Sequence, residues 1–319
     1  MLSRFGLMCA SVAMAAAMNV TPVLADAPMV KTQAPGYHRF MVGDIEVTAI
    51  SDGTIKLPVL QLLRGDPARL RQALQRGYLN EQVETSVNAY LVNTGSKLVL
   101  IDAGAGALFG PTVGKLLTNL RASGYRPEQI DEIYVTHLHG DHVGGVTAAG
   151  TRVFANATLR VDKRDAEYWL SEANMNAAAA EAKGFFQGAM ASVKPYADAG
   201  RFKPFDGGTE LVPGVRAVAS HGHTPGHTVY AVESRGERLM VWGDLMHVAA
   251  VQFEDPSVTI QFDVDSSAAL KQRQAAFDEA AKNGWLVGAA HLSFPGVGRL
   301  RAGAGGGYVF VPLNYSSAP

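Results

Sequence analysis

Ten residues, Thr136-His137-Leu138-His139-Gly140-Asp141-His142-Val143-Gly144-Gly145, restrict what this chain can become more than any other stretch, because four metal-binding side chains fall within six positions. They follow Ile133-Tyr134-Val135, an apolar run of the kind a buried parallel strand shows. Ligand-bearing loops sit at the carboxyl ends of such strands. In extended backbone His137, His139 and Asp141 point to one side by the period of two, whereas Gly140 lets the chain turn and send His142 elsewhere. Two metals rather than one are then served. Gly144 and Gly145 leave no side chain to obstruct close backbone approach beside the ions. The plain alternative is a histidine-rich surface loop after a core strand. Three further clusters argue against it: Ser220-His221-Gly222-His223-Thr224-Pro225-Gly226-His227, Trp242-Gly243-Asp244, and His291 after the apolar run Trp285 to Ala290. Each follows or ends a strand-like stretch.

Together with Ser86-Val87-Asn88-Ala89-Tyr90, Lys97-Leu98-Val99-Leu100-Ile101-Asp102 and Ser293-Phe294-Pro295-Gly296, these motifs make the chain resemble the metallo-β-lactamase-fold hydrolases. Within them it is similar to the branch of lactonases (dihydrocoumarin hydrolase-like) and methyl parathion hydrolase, from about Val30 to about Tyr315. The resemblance implies an α/β fold, an αββα sandwich with a dinuclear metal site at one edge. It implies two divalent ions per chain, zinc or another first-row metal, with His137, His139 and His223 on one, Asp141, His142 and His291 on the other, and Asp244 bridging. Asp244 and Asp141 are the catalytic carboxylates on this reading. The same resemblance places Phe109, Trp169 and Phe186 in an aromatic wall over the metals, with Leu57, Ile260, Phe262 and His247 completing the substrate pocket. Members that cleave phosphotriesters well tend to carry an aliphatic residue where this chain has His247, and the region near Leu62 also looks unlike theirs. That departure favours lactones. Homodimerisation is implied by the resemblance alone.

Residues 1 to about 25 carry one early cation, Arg4, then an apolar, Ala-rich run and Val23-Leu24-Ala25, the pattern of a cleavable secretory signal. A membrane anchor is disfavoured, since the run is short, broken by Asn19 and Pro22, and lacks a stop-transfer pattern. The expected location is periplasmic or extracellular. Cys9, the one cysteine, lies in that segment, so the mature chain has no disulfide and no thiolate ligand. Residues 26–37 read as a linker and 38–319 as one domain, the mature length being 319 − 25 = 294 residues. A formal charge of −1 with scattered Lys and Arg recruits neither nucleic acid nor an acidic membrane face.

Locally, His38 to Ile50 alternates like a strand and ends in an expected turn at Ser51-Asp52-Gly53. Ile55, Leu57, Leu60 and Leu62 follow as core by periodicity. Asp66-Pro67 opens a helix to about Arg76. Thr85 to Val92 and Lys97 to Asp102 form a hairpin through Asn93-Thr94-Gly95-Ser96, and Pro111 to Ser123 reads as an amphipathic helix. Arg152 to Val161 is strand-rich, and Asp162 to Ala199 is mainly helical. Asp102 either accepts a ring N–H from a metal-binding histidine or caps backbone at Gly104. His227 reads as a supporting or packing histidine, and His221 lies outside the ligand set.

The residue types suit hydrolysis. Two divalent ions roughly 3.5–4 Å apart bring the pKa of a shared water towards neutrality without a strong general base. One ion polarises the substrate carbonyl and stabilises the oxyanion. The expected reaction is opening of aryl lactones and esters, small molecules with an easily released phenolate, with promiscuous phosphotriesterase activity. Organophosphate hydrolysis as the main activity is the alternative, and a non-catalytic periplasmic metal-binding protein is the competitor of another class. A serine nucleophile at Ser220 or Ser293 is weaker, since no G-x-S-x-G elbow occurs.

Overall fold

In a computed structural model of the chain, residues 27–317 are described, so the expected signal at 1–25 lies outside the described residues. Residues 27–36 have no regular structure, and Pro35–Pro319 forms one compact unit. Two sheets dominate it. The first runs Tyr37–Val42, Ile45–Pro58, Gln82–Asn93, Leu98–Ile101, Glu132–Tyr134 and Thr158–Arg160, neighbour by neighbour. The second runs Glu210–Val212, Val215–Ala219, Thr228–Ser234, Glu237–Val241, Leu286–Gly288, Val297–Ala302 and Tyr308–Pro312.

Period-two alternation along these strands builds the four layers. Val47, Ala49, Tyr90, Val92, Ile101 and Tyr134 face the second sheet and meet Val215, Ala217, Tyr230, Leu239 and Val241. Ile50, Leu91, Leu100 and Ile133 face the other way, beneath Leu120 of the helix Leu116–Ala122 and Val193 and Tyr196 of the helix Lys183–Asp198. On the far side, Val229, Ala231, Met240 and Val287 are covered by Phe277 and Ala280 of the helix Ser266–Asn283. Asp265 caps that helix by accepting from Ser267 N–H and Ala268 N–H, and Gly284 ends it in the left-handed region at φ 63°. The result is the expected αββα order, each buried aliphatic side chain contributing about 1.5–3 kcal/mol.

Several expectations change. Ser51-Asp52-Gly53 is a bulge inside one 14-residue strand, not a turn. Gly53 sits at φ 120°, where a Cβ would lie 2.1 Å from the Thr112 carbonyl oxygen. The bulge turns Asp52 inwards, and its carboxylate accepts from the N–H groups of Ala105 (2.8 Å), Gly114 (3.0 Å) and Leu116 (2.9 Å). This capture delays the helix expected from Pro111, which starts at Leu116 after Gly114 has taken φ 77°. The stretch 152–161 holds only the end of Thr151–Arg152 and the strand Thr158–Arg160. The helical insert is three α-helices, Lys163–Trp169, Glu172–Ala177 and Lys183–Asp198, with a 3-10 turn at Ala180–Ala182 leading into the last. The hairpin at 93–96 and the helix Pro67–Arg76, capped by Asp66, form as expected.

Parallel pairing sets the position of the site. Leu98–Ile101 pairs in parallel with Glu132–Tyr134, and Glu237–Val241 with Leu286–Gly288. Asp102, the 136–142 loop, Asp244 and His291 all follow the carboxyl ends of these strands. Among the described residues no helix is long and apolar enough to cross a membrane.

Candidate metal centre and its cavity

The backbone of the central motif is not extended through Asp141. His139 has φ −69° and ψ 151°, and a one-turn helix, Gly140–Val143, begins directly after it. Asp141 and His142 therefore turn away together from His137 and His139. Gly144 and Gly145 allow the close backbone approach expected of them: a Cβ on Gly145 would lie 1.9 Å from the Ala103 carbonyl oxygen, and one on Gly144 2.3 Å from that of Ala105. The backbone they admit is the segment 103–105 that follows Ile101. Gly145 N–H donates to the Gly104 carbonyl at 2.9 Å.

Ligand atoms then converge in two groups, each within 4.8 Å, His137, His139, His223 and Asp244, and Asp141, His142 and His291, while Asp244, His247 and His291 make a third cluster that overlaps both sides. Asp244 stands between them with one oxygen on each side. Its Oδ2 is 3.3 Å from His223 Nε2 and 3.8 Å from His137 Nε2. Its Oδ1 is 3.1 Å from His142 Nε2 and 3.2 Å from His291 Nε2. Asp141 Oδ2 is 3.6 Å and 3.5 Å from the same two nitrogens.

The outer nitrogens of the rings are held by the protein. His142 Nδ1 lies 2.8 Å from Asp102 Oδ2, His223 Nδ1 2.9 Å from Asp263 Oδ1, and His291 Nδ1 2.9 Å from the Ser86 carbonyl oxygen. An N–H donated outwards leaves the Nε2 lone pair aimed inwards. Asp102, at φ 59°, also accepts from Thr136 N–H and Oγ1–H, so it orients His142 rather than capping Gly104. Asp263 and Ser86 carry no local sequence signal for these tasks.

The centre fits cations by an independent criterion. His137 Nε2, His142 Nε2 and Asp244 Oδ1 are buried without a hydrogen-bond partner, a costly state that a bound cation relieves. Charge points the same way. Burial and neighbouring histidines push His137 well below its ordinary value, and burial pushes down His139, beside His223. Burial also opposes charge on His142, but Asp244, Asp141 and Asp102 outweigh it and hold that ring well above. The His223 imidazole, lowered by burial but bonded to Asp244 and Asp263, rises to about 9.

His227 is not in either group. Burial, with the charge of His223 beside it, pushes its pKa down to about 3. The neutral ring donates from Nδ1 to the Ser220 carbonyl (3.1 Å) and accepts at Nε2 from Asp244 N–H (3.0 Å). It braces the loop that presents Asp244. His221 lies apart, against Arg164.

A cavity of about 120 Å³ opens on the centre, lined by Ile55, Leu57, Thr85, Phe109, Phe185, Phe262 and His247 together with His139, Asp141, Asp244 and His291. Of the residues expected there, Phe186, Trp169 and Ile260 do not line it. Phe186 and Trp169 are buried in the core of the first sheet, and Trp169 reaches the centre only by an edge contact on His139, rings 5.0 Å apart. Successive helical residues point about 100° apart, so Phe185 rather than Phe186 forms the wall, 4.8 Å from the His139 ring. Ile260 is fully buried in the lobe formed by Val59, Leu74 and Val248. His247 is in the cavity wall, with Nε2 3.0 Å from Asp244 Oδ2 and Nδ1 buried.

Comparison with known proteins points to one family. Residues 83–291 match the family model described as metallo-beta-lactamase superfamily. The chain is 27% identical over 149 residues to an N-acyl homoserine lactonase of Bacillus cereus, covering 47% of this chain and 51% of that protein. The match thus spans about half the length of that curated relative. Among solved structures, the hydrolase AbOPH in the beta lactamase superfamily superposes with a TM-score of 0.85 at 35% identity, covering 90% of this chain and 100% of that one. AidC, a dizinc quorum-quenching lactonase in complex with an N-hexanoyl-L-homoserine product, superposes with a TM-score of 0.82 at 26% identity, covering 88% and 99%.

Proposed function

The chain belongs to the metallo-beta-lactamase superfamily and is a metal-dependent hydrolase related to lactonases; we propose that its substrates are aryl lactones and esters of dihydrocoumarin size. The observation that carries this reading is the narrow aromatic cavity directly over the paired donor groups. His137, His139 and His223 would hold one ion, Asp141, His142 and His291 the other, with Asp244 shared. The histidine and carboxylate donor set suits zinc. When bound, the pair supplies a water acidic enough to attack at neutral pH and a Lewis acid for the carbonyl.

The protein's own residues do the rest. Leu57, Phe109, Phe185 and Phe262 line the approach against bulk water, and the three phenylalanines offer aromatic surface to a planar substrate. Asp244 is held from two directions, its backbone by His227 and its Oδ2 by His247, which leaves Oδ1 facing His142 and His291 without a hydrogen-bond partner. A phenolate leaving group needs little protonation, so no separate acid is required.

His247 is expected to favour lactones over phosphotriesters. Its ring narrows the space beside Asp244, where the alkoxy groups of a tetrahedral phosphorus need room on both sides. It also donates a charge-assisted bond to Asp244 worth about 1.5–3 kcal/mol. Steady-state rates should show dihydrocoumarin ahead of methyl parathion by kcat/KM, and His247→Leu should lower the first about tenfold or more and raise the second, with both metals retained. Methyl parathion as the better substrate of the unmodified enzyme sinks the substrate reading. An unchanged ratio in His247→Leu removes only the role given to His247.

The proposal places the enzyme outside the cytoplasm, supported by the signal-like pattern of residues 1–25. N-terminal mass spectrometry should find the mature chain beginning near Asp26. A soluble cytoplasmic protein that retains Met1 contradicts it.

A further inference from the structure

Asp165 is fully buried in the short helix Lys163–Trp169, yet it belongs to neither donor group and does not line the cavity. A buried carboxylate is costly unless its oxygens are bonded. Here each oxygen serves a different loop. Oδ2 accepts from Leu138 N–H at 2.8 Å, and Oδ1 accepts from Gly226 N–H at 2.8 Å. Leu138 stands between His137 and His139, and Gly226 between His223 and His227. The approach is close enough that a Cβ on Gly226 would lie 2.5 Å from Asp165 N.

We propose that Asp165 is a positioning residue that clamps the two histidine loops to each other and sets the spacing of His137 and His139 against His223. This rests on the ligand assignment above. The two loops come from different sheets: the first follows Glu132–Tyr134, the second Val215–Ala219. The inter-strand ladder of neither sheet fixes their separation; Thr228 N–H donates to the Thr136 carbonyl at 2.8 Å where the loops meet their strands, and Asp165 ties them further out, between the histidines. The two oxygens of one carboxylate are a rigid unit, so two charge-assisted bonds to them fix that separation directly. The donors of the other group depend less on the clamp, because His142 is held by Asp102 and His291 by Ser86. Asp165 should therefore act on one ion of the pair.

The test is zinc binding by the full-length mature chain in chelator-buffered zinc, with Asp165→Asn as the near-isosteric variant. Its amide replaces one acceptor by a donor facing an N–H. Weaker binding of one zinc by about 10–100-fold is expected, the range for removing a group that orients metal ligands, with the second zinc at wild-type affinity. Asp162→Asn is the control. Asp162 caps the same helix through Arg164 N–H at 2.8 Å and bonds neither Leu138 nor Gly226. If Asp162→Asn loses zinc to the same extent, helix anchoring explains the effect and the clamp is overturned. It is equally overturned if Asp165→Asn binds both zincs like the wild type. Should Asp165→Asn fail to fold, Asp165→Ser, which leaves room for a bridging water, carries the same expectation. A wild-type chain that takes up no zinc at all overturns the ligand assignment together with the clamp; two zincs bound at wild-type affinity in every variant overturn the clamp alone.

Discussion

Asp244→Ala is expected to strip both metal ions from the protein and to lower kcat/KM on any aryl lactone by at least about 10³-fold. The reason is positional. The carboxylate gives Oδ2 to the side of His137 and His223 and Oδ1 to the side of His142 and His291, so each group loses an anionic donor at once. Removal also takes from the rings of His142 and His223 one of the carboxylates that hold their charge. Repulsion among the rings then opposes cation binding. Metal content measured by mass spectrometry on the folded variant decides the matter. One ion retained per chain would mean that Asp244 belongs to a single ion and does not bridge.

His223→Ala and His227→Ala are expected to part company, although the two histidines sit four residues apart on one loop. His223 turns Nε2 towards Asp244 and His139 while Asp263 holds its other nitrogen. Its removal should cost one ion and most of the activity, on the order of 10²-fold or more. His227 spends both nitrogens on backbone, one on the Ser220 carbonyl and one on Asp244 N–H. Its loss should weaken the bracing of Asp244, reduce stability by about 1–3 kcal/mol for the unsatisfied groups left behind, and leave two ions bound. Equal metal loss in the two variants refutes the assignment.

The donor set was legible in the sequence because its members follow strands whose apolar runs are unmistakable, as Ile133-Tyr134-Val135 precedes His137 and Leu239 to Trp242 precedes Asp244. What was hidden came from angles and long-range partners. The choice between Phe185 and Phe186 turns on a single helical step, which no pattern of two adjacent phenylalanines resolves. Ser51-Asp52-Gly53 reads as a turn by composition, but pairing with the strand Gln82–Asn93 on either side keeps it in the sheet as a bulge. Asp263 and Asp165 act on loops far away in the chain, His223 being 40 residues from the first and Gly226 61 from the second. Nothing around either aspartate distinguishes it from a helix-start or loop carboxylate.

The seven donors are divided between the sheets: four ride on the loop after Glu132–Tyr134 in the first, and His223, Asp244 and His291 follow strands of the second. A pair of ions held there is a cross-link between the two halves of the sandwich. Affinity for metal and cohesion of the fold are consequently one thermodynamic quantity viewed twice. Above the dissociation constant, each tenfold rise in free metal adds about 1.4 kcal/mol to the free energy of unfolding per site. The edge that carries the donors is then the part of the fold that bound metal would stabilise most directly.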